Sequence, residues 1–256
     1  MTAVALHHEI DGPDEAPPVL LLGSLGSTLA MWEPQVEGLA GDLRLIRADL
    51  RGHGASPTPP GPYAIEDLGG DAVALLDRLE LERAHLVGLS LGGMIAQWVA
   101  AHHPERVDRL ALLATSTRLP PPQQWHDRAA TARSEGTQAL ADAVVSRWFT
   151  AGFADQHPAR VERLRRAIAD TDDEGYAGCC EAIAALDLTA DLARITASTL
   201  VLAAADDPAT PPPHGEAIVE GIADARLTVV DDAAHLLNME QAQAVNDALR
   251  GHLLGR

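Results

Sequence analysis

Apolar residues fall along the chain in short unbroken runs. Glycine-, proline- and aspartate-rich turns separate them, and stretches of helical spacing lie between many of the runs. "AVALHHEI" (3–10) predicts a first strand, ended by the turn "DGPDEAPP". "VLLLG" (19–23) is apolar throughout, as expected of a strand buried on both faces. "LRLIRADL" (43–50) predicts another strand, closed by the glycine-rich turn "RGHGAS". Residues 66–79 carry Val73, Leu76 and Leu79 at helical spacing. "AHLVGL" (84–89) reads as a strand, "LGGMIAQWVAAHH" (91–103) as a helix stopped by Pro104, and "VDRLALLAT" (107–115) as the next strand.

The rhythm then changes. Residues 118–190 hold no convincing strand and read as alanine- and arginine-rich helices, with Val161, Leu164 and Ile168 on one face of one of them. Strands resume at "STLVLAAA" (198–205) and "ARLTVVD" (225–231), and a last helix covers 239–254. Alternating strands and helices predict the α/β class: a mostly parallel sheet flanked by helices, with a helical cap insertion. The core is expected over 1–117 and 191–256 and the cap over 118–190, forming one structural unit. The cap would lie over the C-terminal edge of the sheet, where open α/β sheets bind ligands.

The 256 residues suffice for one sizeable core. The formal charge of −18 argues against nucleic acid and anionic membranes as partners, since both require basic surfaces. All 19 cations are arginine, which excludes lysine Schiff-base chemistry and leaves arginine to hold any anionic substrate. Cys179 and Cys180 are the only cysteines, and their adjacency speaks against a disulfide framework or a thiolate metal site. Packing of a cap helix is the simpler role for them. The N-terminus lacks a basic region followed by an apolar core, and no run approaches membrane-spanning length, so a soluble cytoplasmic protein is expected.

"G-L-S-L-G", Gly88 to Gly92, fits the strand–turn–helix pattern that lifts a serine out of a sheet at a helix N-terminus. The pentapeptide alone fits a plain turn equally well. Its setting, an apolar strand before and a helix after, makes Ser90 a candidate nucleophile. Such a serine needs an acid and then a histidine later in the chain. Of eleven histidines, His235 follows a strand in the required place. His102 and His103 close a helix, His53 sits in the "RGHG" turn, and His7 and His8 lie in the first strand. Asp207 is the chosen acid, with Asp206 beside it and Asp231 and Asp232 as fallbacks too near His235 in sequence. The amides of Leu91 and Leu25, the latter from the loop "LLLGSLGST", are the candidate oxyanion donors.

These residues resemble the α/β-hydrolase superfamily over essentially the whole chain. They resemble the 3-oxoadipate enol-lactonases of the β-ketoadipate pathway in "SLGSTLAMWEPQ", "DLRGHGAS", "GLSLGGMIAQW", "EGYAGCCEAIAALDL", "DDPATPP" and "AAHLLNMEQ". The resemblance implies an α/β-hydrolase fold with Ser90 as nucleophile, Asp207 as acid and His235 as base. The implied substrate is a small anionic enol-lactone, opened without metal or organic cofactor. Gly23 departs from the pattern, which would place asparagine there. The substrate carboxylate calls for a cation, and Arg118, Arg128, Arg133 and Arg147 in the cap are candidates. Trp125 and Trp148 are candidate pocket walls, whereas Trp32 and Trp98 suit the core. Two alternatives remain open: another serine hydrolase (a carboxylesterase, a carbon–carbon bond hydrolase or a perhydrolase), or a ligand-binding receptor with a vestigial hydrolase site.

Overall fold

The computed structural model describes residues 2–255. Seven strands form one sheet: β1 (His8–Asp11), β2 (Pro18–Leu22), β3 (Arg44–Ala48), β4 (Ala84–Leu89), β5 (Val107–Leu113), β6 (Ser198–Ala204) and β7 (Ala225–Val230). Their order is β1-β3-β2-β4-β5-β6-β7, and only β1 runs antiparallel to its neighbour. The chain passes from β2 outward to β3 and then returns to place β4 on the other side of β2. The crevice beyond β2 and β4 is therefore the switch point at which a ligand is expected.

The unbroken apolar runs map onto the inner strands because these are buried; all six positions of β4 are, whereas the edge strands β1 and β7 are largely half-buried or exposed. Helices α1 (Glu33–Leu39), α2 (Ile65–Arg78), α3 (Leu91–His102), α9 (Pro212–Gly221), α10 (Leu237–Glu240) and α11 (Ala242–Leu253) pack around the sheet. Between β5 and β6 stand α4 (Pro122–Glu135), α5 (Ala141–Val145), α6 (Ala151–Gln156), α7 (Pro158–Ala169) and α8 (Asp173–Ala185), with α4 and α8 packed together. Among the described residues no helix is long and apolar enough to cross a membrane.

Two elements differ from the sequence expectation, each for a local reason, and two helices add to it. The first strand begins at His8 because side chains take the earlier amides: Val4 donates to Asp71 and His7 to Ser56. The last helix is broken at Gln241 (φ −116°, ψ 50°), where Glu240 turns back to accept the Ala234 N–H. Helices α1 and α9 start with prolines in their first turns, and the sequence reading passed over both.

The helices between β5 and β6 meet the sheet domain at Gly175, in the first turn of α8, against Gly52 of the "RGHG" turn. A Cβ at Gly175 would overlap the Gly52 Cα. Ordinarily Gly→Ala in a helix stabilises by about 1 kcal/mol. Here the overlap should reverse the sign, since overpacking costs typically 1–3 kcal/mol. Gly175→Ala is expected to lower the Tm by a few degrees, whereas Gly152→Ala in α6, with open space around it, should leave the Tm level or raise it. A rise in the Gly175→Ala protein, measured by thermal unfolding, would show that this contact does not hold the helices down.

Candidate active site

From Ala84 to Gln97 every residue is buried except Ser90. It stands between the end of β4 and the start of α3, with φ 55° and ψ −115°, a conformation that L-residues rarely adopt. The turn is held by three backbone ties. Ser90 N–H donates to the Leu113 carbonyl at 2.9 Å, and the Ser90 carbonyl accepts from Met94 N–H at 3.0 Å and Thr115 Oγ1 at 2.7 Å. Gly92 permits the approach of α3 to β2. Its N–H donates to Gly23 O at 2.9 Å, and any Cβ there would overlap the Leu22 carbonyl.

His235 and Asp207 come from the loops after β7 and β6. Their side chains meet at 2.8 Å between Nδ1 and Oδ2, and both are buried. Thr210 Oγ1 donates to the same carboxylate at 2.7 Å and Ala209 N–H at 2.8 Å. Burial alone would raise the Asp207 pKa. The charge and hydrogen bond of His235, with those of Thr210 and Ala209, outweigh it and hold the carboxyl at about 2. Asp207 is thus an anion at any working pH, and a proton on His235 Nδ1 faces it. Asp206, Asp231 and Asp232 are exposed and have no such contact with His235.

The loop after β2 makes a tight turn, Ser27 N–H to Ser24 O at 3.0 Å, with Gly26 at φ 79°. This is the type II pattern, which requires a positive φ at its third residue. Ser24, Gly26 and Ser27 spend their amides on Met31 Sδ, His53 Nε2 and Ser24 O, leaving the Leu25 N–H unused. As the first residue of α3, Leu91 also has an N–H without a carbonyl one turn earlier in the helix. At Gly23 a Cβ would lie 2.7 Å from Ser27 Oγ and 2.8 Å from Met31 Sδ. The Ser27 hydroxyl bonds the Ser24 carbonyl at 2.7 Å, so it braces the loop where the family pattern would have an asparagine.

Ser24, Leu25, Ser90 and His235 line a cavity of about 270 Å³ whose far wall is formed by Trp125, Arg128, Arg147 and Trp148. Arg128 stacks over Trp125 at 5.3 Å and Tyr176 at 5.6 Å. Neither Arg128 nor Arg147 has a carboxylate within ion-pair distance among the described residues. Arg118 is not in the cavity: it is exposed, 3.9 Å from Asp187, where water screens it. Arg133 is held by Glu174 and Glu181. Trp32 is fully buried in the core and Trp98 is packed against it. Cys179 and Cys180 are buried thiols, and burial pushes Cys180 up to about 12, so both are unreactive packing groups.

Two clamps gave no clear sequence signal. The Glu240 carboxylate accepts from Thr150 Oγ1, Thr150 N–H and Ala234 N–H, and Leu236 N–H donates to Trp148 O at 2.9 Å; together they tie the histidine loop to the cap. Asn238, three residues beyond His235, donates to Met31 O at 2.9 Å and joins the buried amides of Gln35 and Asn246.

A serine raised at the switch point of a mostly parallel sheet, lining one cavity with a histidine backed by a buried carboxylate, is the arrangement expected of an α/β hydrolase of the serine type. The profile of the alpha/beta hydrolase fold family matches residues 17–242. The chain is 40% identical over 246 residues to 3-oxoadipate enol-lactonase 2 of Acinetobacter baylyi, covering 96% of this chain and 92% of that protein. It superposes on the enol-lactonase of Burkholderia xenovorans with a TM-score of 0.95 and 42% identity, over 98% of this chain and 97% of the other. A thermophilic esterase from Thermogutta terrifontis is 31% identical with a TM-score of 0.91, over 96% and 92% of the two chains. The chain belongs to the α/β-hydrolase fold family and, within it, to the 3-oxoadipate enol-lactonases.

Asp207→Asn should leave the fold intact and cost about 10³–10⁴ in kcat, because an amide no longer enforces the Nδ1–H tautomer of His235. Steady-state kinetics beside a thermal melt checks this. A variant within tenfold of the parent would show that the His235–Asp207 contact is structural.

Proposed function

We propose that this chain hydrolyses 3-oxoadipate enol-lactone to 3-oxoadipate through an acyl-enzyme on Ser90. The observation that carries this reading is the pair of guanidinium groups without a carboxylate partner among the described residues, Arg128 and Arg147, in the same cavity as Ser90 and His235. In a protein of charge −18, an anionic substrate needs such a local offset.

His235 Nε2 takes the proton of the Ser90 hydroxyl as the oxygen attacks the lactone carbonyl. Charge gathers on the former carbonyl oxygen, which the N–H groups of Leu25 and Leu91 receive. Collapse breaks the ring C–O bond and expels an enolate, a weaker base than a simple alkoxide. The proton held by His235 passes to that oxygen, and the enol tautomerises to the ketone. His235 then removes a proton from water as it attacks the acyl carbonyl, and Ser90 leaves with that proton restored. Asp207 keeps His235 oriented and offsets its transient charge. Trp125 and Trp148 close the cavity over the ring, and one or both arginines take the free carboxylate. The walls of the pocket are thus aromatic and the anchor cationic, which favours the anionic lactone over a neutral ester.

Two measurements test this. Ser90→Ala should reduce lactone turnover by at least about 10³-fold, and full turnover in that protein would sink the acyl-enzyme route. Arg128→Gln and Arg147→Gln, singly and together, should raise KM for the lactone by about 10-fold or more, as expected for a lost charge-assisted hydrogen bond. KM for a neutral aryl ester should stay within about twofold. Equal effects on both substrates would place the carboxylate elsewhere.

A further inference from the structure

The "RGHG" turn reaches the oxyanion loop through one hydrogen bond. His53 is buried, its Nδ1 lies 3.0 Å from the Arg51 carbonyl, and its Nε2 lies 2.8 Å from Gly26 N. A carbonyl can only accept and an amide can only donate. The ring is therefore the neutral Nδ1–H tautomer, with a bare Nε2 receiving the Gly26 N–H. We propose that His53 is a positioning residue for the oxyanion hole: by accepting the Gly26 N–H it fixes the peptide next to the Leu25 amide and so aims that donor.

The geometry makes this bond consequential. Leu25 and Gly26 are the two central residues of the Ser24–Ser27 turn, and the peptide between them distinguishes a type II from a type I turn. A flip would set the Leu25 carbonyl against His53 in place of the Gly26 N–H. The rest of the loop is anchored from just before that turn, where Asp49, directly after β3, accepts the Leu29 N–H at 2.7 Å. Gly26 also faces Tyr176 and Ile168 of the cap, so the peptide lies between cap and core. Asp49 and Asp172 favour a charged His53, but burial is the larger influence and its pKa is lowered. The acceptor therefore stays available where a His⁺ would offer two donors and repel the amide.

The inference rests on Leu25 serving as an oxyanion donor in the proposed mechanism, and paired variants isolate it. His53→Gln keeps an acceptor near the Nε2 position but loses the bond to Arg51. His53→Asn keeps a donor near Nδ1 but cannot reach Gly26. The expected result is a kcat at least tenfold lower in His53→Asn, with KM within about threefold, and most of the activity retained in His53→Gln. Affinity for an aryl trifluoromethyl ketone, whose adduct with Ser90 places an oxyanion in the hole, should fall in parallel with kcat. Competitive inhibition by 3-oxoadipate should not change.

A folded His53→Asn protein with parental kcat and ketone affinity would overturn the inference. So would equal losses in the two variants. If neither variant folds, ¹⁵N NMR of the unaltered protein decides: a bare Nε2 and protonated Nδ1 on His53 support it, and a protonated Nε2 overturns it. Ser90→Ala separates the two readings. Turnover surviving in that protein removes the mechanism itself. An inactive Ser90→Ala protein beside an unaffected His53→Asn protein removes only the role of His53.

Discussion

The site depends on one backbone constraint: a strand becomes a helix with a single residue between them. Placing Ser90 at φ 55° costs on the order of 1–3 kcal/mol, and the surrounding structure has to over-determine it. It does so through Leu113, Met94 and Thr115, which tie both polar groups of the Ser90 backbone. The consequences run outward from there. The turn ejects a hydroxyl from an otherwise buried run. It starts α3 at that hydroxyl, so an unused N–H and the positive end of the helix dipole meet where negative charge would develop. It also brings α3 so close to β2 that position 92 accepts only glycine, and the loop carrying Leu25 then begins beside the serine. Strain, packing and electrostatics are thus a single arrangement, and none could be altered alone.

The cap is held to that arrangement by contacts of different kinds. Gly175 against Gly52 is backbone on backbone, without side-chain slack. Glu240 bridges Thr150 of the cap and Ala234 of the histidine loop. Asn238 carries the connection on to Met31, whose sulfur accepts the Ser24 N–H in the loop after β2. The histidine loop, the oxyanion loop and the cap share these partners, so a shift in one moves the others. Arg133, Arg163, Arg165 and Arg166 are paired with glutamates, whereas Arg128 and Arg147 have no carboxylate within ion-pair distance among the described residues and line the cavity.

Much of this was legible in the sequence because it rests on local patterns. Buried parallel strands are continuous apolar runs, so β2, β4, β5 and β6 could be read nearly to the residue. Ser90, His235 and Asp207 could be read because each follows a strand in a fixed order. The arginines resisted reading. Arg118 and Arg128 look alike in a helical, arginine-rich segment, and only packing puts one over Trp125 and the other in solvent. Likewise "RGHG" reads as a glycine turn. That its histidine accepts an amide from a loop 27 residues earlier is a tertiary fact with no periodicity to announce it. The first strand was overestimated for a related reason: Asp71 and Ser56 capture its amides from a distance in sequence.

Three buried histidines show how partner chemistry separates a proton carrier from a brace. His53 gives Nδ1–H to a carbonyl and accepts an amide on Nε2. His252 gives Nε2–H to the Leu110 carbonyl and accepts from Arg226 on Nδ1, and burial together with that arginine pushes it down to about 4. In both, each nitrogen has a partner that a second proton would turn into a clash, so the ring is fixed as a neutral link. Of these three, His235 alone gives its proton to a carboxylate, which leaves Nε2 toward the cavity and an anion behind it to offset a positive ring. The same side chain is inert in two places and able to take up a proton in the third. What differs is whether the atom behind the ring is a neutral carbonyl, a cation or the charged oxygen of Asp207.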